Sequence, residues 1–158
     1  MQSGFFGTSA SRYDCRVESL VRLRTLALDV GDRRIGIAIS DRLGLTVQGR
    51  PTLTRRDIDS DMAHILGLIE EEDVERIVIG LPLHLDGRAS PQSLKTQAFA
   101  EQLETVAGVA VVLWDERLTS FAAEQELEEM GMTWQKRRGR VDEMAATLIL
   151  EDFLKENE

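Results

Sequence analysis

The segment from residue 23 to residue 54 contains apolar runs separated by short polar turns. The runs that predict strands cover 23–30, 35–40 and 46–54. The turns at 31–33 and 41–44 have hairpin length, so we expect three antiparallel neighbours. Pro51 indicates that the third strand lies at an edge of the sheet, because proline lacks the N–H that an inner strand must donate.

Helices and strands alternate in the remainder of the chain. Ser90 and Pro91, as N-cap and first-turn proline, predict the start of one of the helices. The predicted helices cover 57–72, a segment beginning at 90, 119–130 and 141–154; the strands cover 74–80 and 109–114, and the loops 81–89 and 131–139. Strands that are separated by helices lie parallel to one another. This order predicts an α/β protein with a ribonuclease H-like fold, a mixed five-stranded sheet with helices on both faces.

Three of the predicted helices have an apolar side that we expect to lie against the sheet. In the first helix these positions are Ile58, Met62, Ile65, Leu66 and Ile69. In the helix that begins at residue 90 they are Leu94, Ala98 and Leu103. In the last helix they are Val141, Ala145, Leu148 and Phe153.

Length and composition favour one soluble domain. A chain of 158 residues with 42% hydrophobic and 30% charged residues suits a single globular domain. We assign that domain to 23–158 and treat 1–22, rich in Ser and Gly, as a peripheral or poorly ordered extension. No apolar run approaches about 20 residues and no signal-peptide pattern is present, so we expect a cytoplasmic protein. Cys15 is the only cysteine, which excludes an internal disulfide and a cysteine-rich zinc site.

Acidic residues stand at three places where a predicted strand ends or a predicted helix begins. They are Asp29, the pair Asp115 and Glu116, and Asp142. Each one alone is explained by a turn or by the dipole of a helix N-terminus. Together they would form an oxygen-only site for Mg²⁺ or Mn²⁺, with room for two ions, and such ions catalyse phosphodiester cleavage. Because strand side chains alternate between faces, only one member of the acidic pair is expected to point into that site.

The distribution of positive charge qualifies the overall charge. The net charge is −9, which by itself disfavours a nucleic-acid partner. A local basic face on an acidic protein can nevertheless bind a phosphate backbone. The candidates for that contact are Arg33, Arg34, Lys95, Arg117, Lys136, Arg137, Arg138 and Arg140. The last four surround Gly139, and we expect a flexible loop there that either clamps the substrate or only increases solubility.

Four stretches of the chain resemble the YqgF family, also called RuvX. In order, they are LALDVGDRRIGIAISD, IVIGLPLHLDGRAS with QAFAEQL, VVLWDERLTSFAAEQEL, and VDEMAATLIL. The resemblance implies a ribonuclease H-like fold related to Holliday-junction resolvases. It also implies a catalytic carboxylate trio of Asp29, Glu116 and Asp142, with Asp115 beside it. Related resolvases carry an acid at the end of the fourth strand, where this chain has Gly80, Leu81 and Pro82.

The resemblance further implies a nuclease for 5′-end maturation of pre-16S ribosomal RNA, with cleavage of branched DNA as the competing function. In either case we expect hydrolysis that leaves a 5′ phosphate and a 3′ hydroxyl. Asp29 would be shared by two Mg²⁺ or Mn²⁺ ions, and Glu116 and Asp142 would each complete one. The partners would be pre-rRNA, together with ribosomal particles, or branched DNA. Resolving a four-way junction needs two active sites, so the DNA function predicts a homodimer.

Two functions of other classes compete with this hypothesis. Asp29, Val30 and Gly31 before a hairpin also resemble the first phosphate motif of actin-like and sugar-kinase ATPases. Those proteins enclose ATP between two such domains, whereas this chain has the length of one. A non-catalytic nucleic-acid-binding factor with the same fold is the other rival, and carboxylates buried without a metal would be a liability for it.

Overall fold

The computed structural model describes residues 23–83, 87–115 and 134–156, and in the last segment it describes side chains from Met144 onward. The elements are β1 Thr25–Val30, β2 Arg34–Ser40, β3 Val47–Thr54, α1 Ile58–Glu71, β4 Arg76–Leu81, α2 Pro91–Ala107, β5 Ala110–Asp115 and α3 Trp134–Glu156. The predicted extension 1–22 and the predicted helix 119–130 lie outside these residues. Within the described ranges, no helix is both long enough and apolar enough to cross a membrane.

The five strands form one mixed sheet in the order β3-β2-β1-β4-β5. β1 pairs with β2, and β2 with β3, in antiparallel fashion. β1 pairs with β4, and β4 with β5, in parallel fashion. The predicted class, the antiparallel arrangement of the first three strands and the parallel arrangement of the later two are confirmed. Pro51 lies in β3 at the edge of this sheet, where a missing N–H disrupts no inner ladder.

Side chains of the strands alternate between two separate apolar clusters, one on each face of the sheet. On the face that we call the α1–α2 face, the fully buried strand residues include Leu26, Leu28, Ile35, Ile37, Ile77 and Ile79. Met62 and Ile65 of α1 and Leu103 of α2 cover them. On the opposite α3 face, the buried residues are Ala27, Ala38, Val78, Ala146, Ile149, Leu150 and Phe153. The sheet is therefore covered by helices on both sides, as the sequence predicted.

The side of α2 that packs against the sheet differs from the side that the apolar pattern predicted. Leu94 is 58% exposed and Ala98 is also exposed, so of the three predicted positions only Leu103 is buried. The buried side includes two hydroxyl residues, Ser93 and Thr96. The Ser93 hydroxyl donates to the Ser90 carbonyl at 2.8 Å, and the Thr96 hydroxyl donates to the Gln92 carbonyl at 2.9 Å. Because these local bonds satisfy the hydroxyls, the two polar residues can be buried, and a pattern of apolar residues does not detect them.

Helix α3 begins earlier than predicted. Its backbone is helical from Trp134, so the predicted loop 131–139 is wrong for 134–139. Glutamine, lysine and arginine are strong helix formers, and the one glycine in this stretch, Gly139, costs about 1 kcal/mol relative to alanine. A helix of 23 residues that packs on a sheet tolerates that cost. Of the predicted apolar positions, Ala145 and Phe153 are buried and Leu148 is partly buried; the side chain of Val141 lies outside the described set.

Candidate active site

Asp29 lies at the end of the sheet where β1, β4 and β5 all terminate, which we call the carboxyl end. It is half-buried and follows Leu28 of the α1–α2 face, so alternation along β1 directs its side chain to the α3 face. On β2 it is paired with Gly36. On β4 the last pair is Leu28–Ile79, and Gly80 is the next residue of that strand. Gly36 and Gly80 have no side chains.

Asp115 ends β5 at the same end of the sheet but on the other face. It is exposed and is paired with Leu81. Val111 packs on the α1–α2 face, whereas Val112 and Trp114 pack on the α3 face. Alternation along β5 therefore directs Asp115 to the α1–α2 face, away from the side chain of Asp29.

The other two acidic candidates are Glu116 and Asp142. Glu116 comes directly after Asp115 and lies outside the described residues. Asp142 belongs to the backbone of α3, one turn before Ala145 and Ala146, which are buried on the α3 face. Among the described side chains, no group of three or more His, Cys, Asp and Glu residues could hold a metal ion. The predicted trio has two members, Glu116 and Asp142, outside that set, and it stays a prediction.

The turn between β1 and β2 is tight and exposes charged side chains beside Asp29. The Gly31 amide donates to the Arg34 carbonyl at 2.9 Å, and a Cβ at position 31 would meet that carbonyl oxygen at 3.0 Å. Asp32 and Arg33 are exposed at the tip of the turn. Arg34 is half-buried at the start of β2. Only a residue without a side chain fits easily at position 31, which gives this turn a specific shape.

Three of the predicted nucleic-acid-binding residues are described at the carboxyl end. Arg33 and Arg34 belong to the turn after Asp29, and Lys95 forms an exposed ion pair with Asp32 at 3.3 Å. Arg56 is also exposed there, next to the end of β3, and the sequence analysis did not select it. Arg117 and the side chains of Lys136, Arg137, Arg138 and Arg140 lie outside the described set. These contacts with nucleic acid remain predictions.

Arg55 and Gln92 donate hydrogen bonds to main-chain carbonyls of this turn. The sequence analysis did not select either residue. Arg55 donates from Nη1 to the Gly31 carbonyl at 2.9 Å and from Nε to Asp61 Oδ2 at 2.9 Å. Gln92 donates from Nε2 to the Val30 carbonyl at 3.1 Å. Asp61 is only 2% exposed, and the ion pair with Arg55 compensates for the burial of its carboxylate. Its position next to Met62, on the apolar side of α1, was the one sequence signal for this network.

A family model described as "RuvX: Holliday junction resolvase" matches residues 23–156 of the chain. A protein of Halothermothrix orenii named "Putative pre-16S rRNA nuclease" is 42% identical over 132 residues, which cover 84% of this chain and 94% of the relative. A protein of Synechococcus sp. with the same name is 47% identical over 131 residues, which cover 83% of this chain and 88% of the relative.

Solved structures agree with the fold at much lower identity. RuvC of T. thermophilus, in complex with a Holliday junction substrate, matches with a TM-score of 0.54 and 13% identity, covering 85% of this chain and 96% of that chain. Fowlpox virus resolvase, in complex with Holliday junction DNA, matches with a TM-score of 0.51 and 9% identity, covering 85% and 98%. These likenesses show the ribonuclease H-like fold alone. The family model and the two curated relatives show more: the chain belongs to the RuvX family.

Proposed function

We propose that this protein is a divalent-metal-dependent nuclease that hydrolyses phosphodiester bonds during 5′-end maturation of pre-16S ribosomal RNA. The observation that carries the proposal is the place of Asp29, a half-buried carboxylate that is paired with Gly36 at the carboxyl end of the sheet. Ligands of open α/β sheets bind in crevices outside the carboxyl ends of the strands. The names of the curated relatives support the RNA substrate.

The residues available for a metal site fit Mg²⁺ or Mn²⁺. Asp29, Glu116 and Asp142 offer carboxylate oxygens only, which are the ligands that these hard cations prefer. Alternation along β5 favours Glu116 over Asp115 as the second ligand, because a residue after Asp115 returns to the face of Asp29 if the strand continues. When bound, two such ions would lower the pKa of water and stabilise the charge that develops on the leaving oxygen.

Residues of the chain would perform the remaining tasks. Asp29 would lie close to the scissile phosphate, and Gly36, which is paired with it, adds no side chain there. Arg33 is exposed two residues beyond the Gly31 carbonyl and would contact the substrate backbone. The positive residues near the start of α3 would follow the same backbone further along. The products would be a 5′ phosphate and a 3′ hydroxyl, and the domain that performs the reaction would span 23–158.

Cleavage of branched DNA is the second candidate function. It is favoured by the name of the family model and by the two structures in complex with Holliday junctions. The two functions differ in the assembly that they need. Resolution of a four-way junction requires two active sites and thus a homodimer, whereas removal of an RNA leader requires one active site.

The proposal is tested by cleavage of two labelled substrates, a precursor 16S 5′ leader and a four-way DNA junction. Each is incubated with Mn²⁺, with Mg²⁺ or with EDTA, and a linear DNA duplex with the sequence of two arms is the matched control. We expect metal-dependent cutting of the RNA leader that exceeds cutting of the junction. Preferential cutting of the junction at symmetrical positions would establish the DNA function instead. No cutting of either substrate, with or without purified ribosomal particles, would contradict a nuclease and favour a binding factor.

A further inference from the structure

We propose that Arg55 and Gln92 are positioning residues for Asp29, because they hold the two main-chain carbonyls that directly follow it. This inference rests on the proposed nuclease activity and assigns part of its geometry. Gln92 donates to the Val30 carbonyl at 3.1 Å, and Arg55 donates to the Gly31 carbonyl at 2.9 Å. Gln92 belongs to α2 and is 62 residues from Val30, whereas Arg55 lies between β3 and α1 and is 24 residues from Gly31.

The location of these two bonds explains why they matter. Regular pairing of β1 with β2 ends at Val30, and pairing with β4 ends at Leu28. Asp29 therefore lies where the sheet no longer holds β1 on both sides. A carboxylate that must meet a substrate needs a fixed backbone, because a misplacement of about 1 Å can reduce a reaction rate about a hundredfold. The side chains of Arg55 and Gln92 replace the sheet contacts that are missing at this point.

Arg55 is itself held firmly enough to act as a support. Its Nε donates to Asp61 Oδ2 at 2.9 Å, and its guanidinium lies over the ring of Phe99 at 5.3 Å. The other oxygen of Asp61 accepts from the Arg56 amide at 3.2 Å, so both oxygens of this buried carboxylate are bonded. The planar guanidinium is thereby fixed in direction. Because Asp61 belongs to α1 and Phe99 to α2, these two helices fix the Nη1 that donates to the Gly31 carbonyl.

One more hydrogen bond holds the part of the turn that carries Arg33, independently of the Arg55 side chain. The main-chain amide of Arg55 donates to the Arg33 carbonyl at 2.8 Å. Any substitution of Arg55 other than proline keeps that bond, so the Arg33 side of the turn stays in place. A change of the Arg55 side chain should therefore disturb Asp29 more than Arg33. In kinetic terms, it should lower kcat and leave KM nearly unchanged.

The other end of α1 supplies a matched control. Arg24 forms an ion pair with Glu72 at 3.0 Å, and their side chains are 24% and 23% exposed. The pair of Arg55 with Asp61 has a distance of 2.9 Å, with 22% and 2% exposed. Both pairs join α1 to the sheet, but the pair with Arg24 lies at the amino end of β1. A general loss of stability would appear in variants of both arginines, whereas a positioning role belongs to Arg55 alone.

The experiment compares Arg55→Lys, Gln92→Met and Arg24→Lys with the wild-type protein. Lysine keeps a positive charge next to the buried Asp61, but it lacks the fork that reaches two acceptors at once. Gln92→Met has a similar length, removes the donor and alters no charge, so it decides the question if Arg55→Lys fails to fold. Three quantities are measured: the melting temperature, kcat and KM for the cleaved substrate, and hydrogen exchange of the amides in 30–34.

We expect Arg55→Lys and Gln92→Met each to lower kcat by at least about tenfold, with KM changed by less than about threefold. Exchange of the Gly31 amide should accelerate by at least about tenfold in both variants. Arg24→Lys should change the melting temperature only. Unchanged kcat in the two test variants, or unchanged Gly31 exchange, would overturn the inference.

Failure of the inference can be distinguished from failure of the proposed function. If the wild-type protein cuts neither substrate, the proposed function is wrong. The exchange measurement then still decides whether the two side chains hold the turn. Faster exchange in the two test variants, but not in Arg24→Lys, would support that holding role, and equal exchange in all variants would refute it.

Discussion

The two ends of the central sheet use the same kinds of residues in different ways. At the amino end, Arg24 and Arg50 both bind the carboxylate of Glu72, so these ion pairs join side chains only. At the carboxyl end, Arg55 divides its donors between the carboxylate of Asp61 and a main-chain carbonyl. The first arrangement joins a helix to a sheet. The second also fixes a turn that follows an acidic residue.

The ends also differ in what they leave available to solvent. At the amino end, Arg76 donates to the Thr25 hydroxyl at 3.0 and 3.1 Å and lies over the ring of Phe153. At the carboxyl end, Arg33 and Arg56 are exposed around a half-buried Asp29. The proposed active site at the carboxyl end therefore differs from the amino end in having a side-chain donor, Arg55, that fixes the main chain beside a half-buried carboxylate.

The largest expected effect concerns the acidic pair after β5. We expect Glu116→Gln to lower the cleavage rate by at least about a hundredfold, because it removes the charge of a proposed metal ligand. Asp115→Asn should change the rate by less than about threefold, since Asp115 is exposed on the other face. Cleavage rates at saturating substrate are compared for both variants. The reverse order of effects would show that the alternation of β5 does not continue into residue 116.

The second prediction concerns the positive residues near the start of α3, which we propose as part of the nucleic-acid interface. Replacement of Lys136, Arg137, Arg138 and Arg140 together by serine should weaken substrate binding by at least about tenfold and flatten its salt dependence. Each phosphate contact that is lost reduces the slope of log affinity against log salt by about 0.7 to 0.9. Lys155→Ser, in the last turn of the same helix, is the control. An unchanged slope in the quadruple variant would remove these residues from the interface.

The third prediction concerns the amino end. Glu72→Gln leaves Arg24 and Arg50 adjacent without the carboxylate that they share, and the side chain of Glu72 is only 23% exposed. We expect the free energy of unfolding to fall by about 2 kcal/mol, measured by urea denaturation. The kcat of the folded variant should equal that of the wild type. A loss of kcat would mean that the two ends are coupled through α1.

The smallest expected effect is a pH dependence at the start of α1. The amide and hydroxyl of Ser60 donate to Asp57 at 2.8 and 3.1 Å and lower the pKa of Asp57 below its ordinary value of 3.8. Since the folded pKa lies below the unfolded one, this stabilisation is complete above the unfolded pKa and is lost as the pH falls through the folded value. Asp57→Asn keeps the cap but cannot titrate. Its melting temperature should be about 1 °C lower than the wild type at pH 6, and this difference should shrink as the pH falls below 3.8; a constant difference would contradict the assignment.

The sequence predicted the sheet well because long apolar runs and tight turns restrict the topology. The three antiparallel strands, the parallel pair of β4 and β5 and the edge position of Pro51 all followed from local patterns. The buried side of α2 did not follow, because Ser93 and Thr96 satisfy their hydroxyls locally and Leu94 is left exposed. The prediction placed the start of α3 too late, because Gly139 indicated a loop although the glutamine, lysine and arginine residues around it favour a helix.

The site was predicted less completely than the fold. Asp29 could be selected because a carboxylate ends a central apolar strand. Arg55 and Gln92 could not be selected, since their role depends on reaching carbonyls that are distant in sequence. The sequence could not show which face of the sheet Asp115 occupies, because that follows from the packing of Val111, Val112 and Trp114 on the two faces.

The most direct test of the carboxyl end as the active site is the cleavage rate of Asp29→Asn beside that of Glu72→Gln, on the preferred substrate with Mn²⁺. Both changes replace a carboxylate by its amide, one at each end of the sheet. We predict that Asp29→Asn loses cleavage by at least about a hundredfold and keeps the wild-type melting temperature within a few degrees. Glu72→Gln should lose stability and keep cleavage. Metal-dependent cleavage that persists in Asp29→Asn would contradict the account.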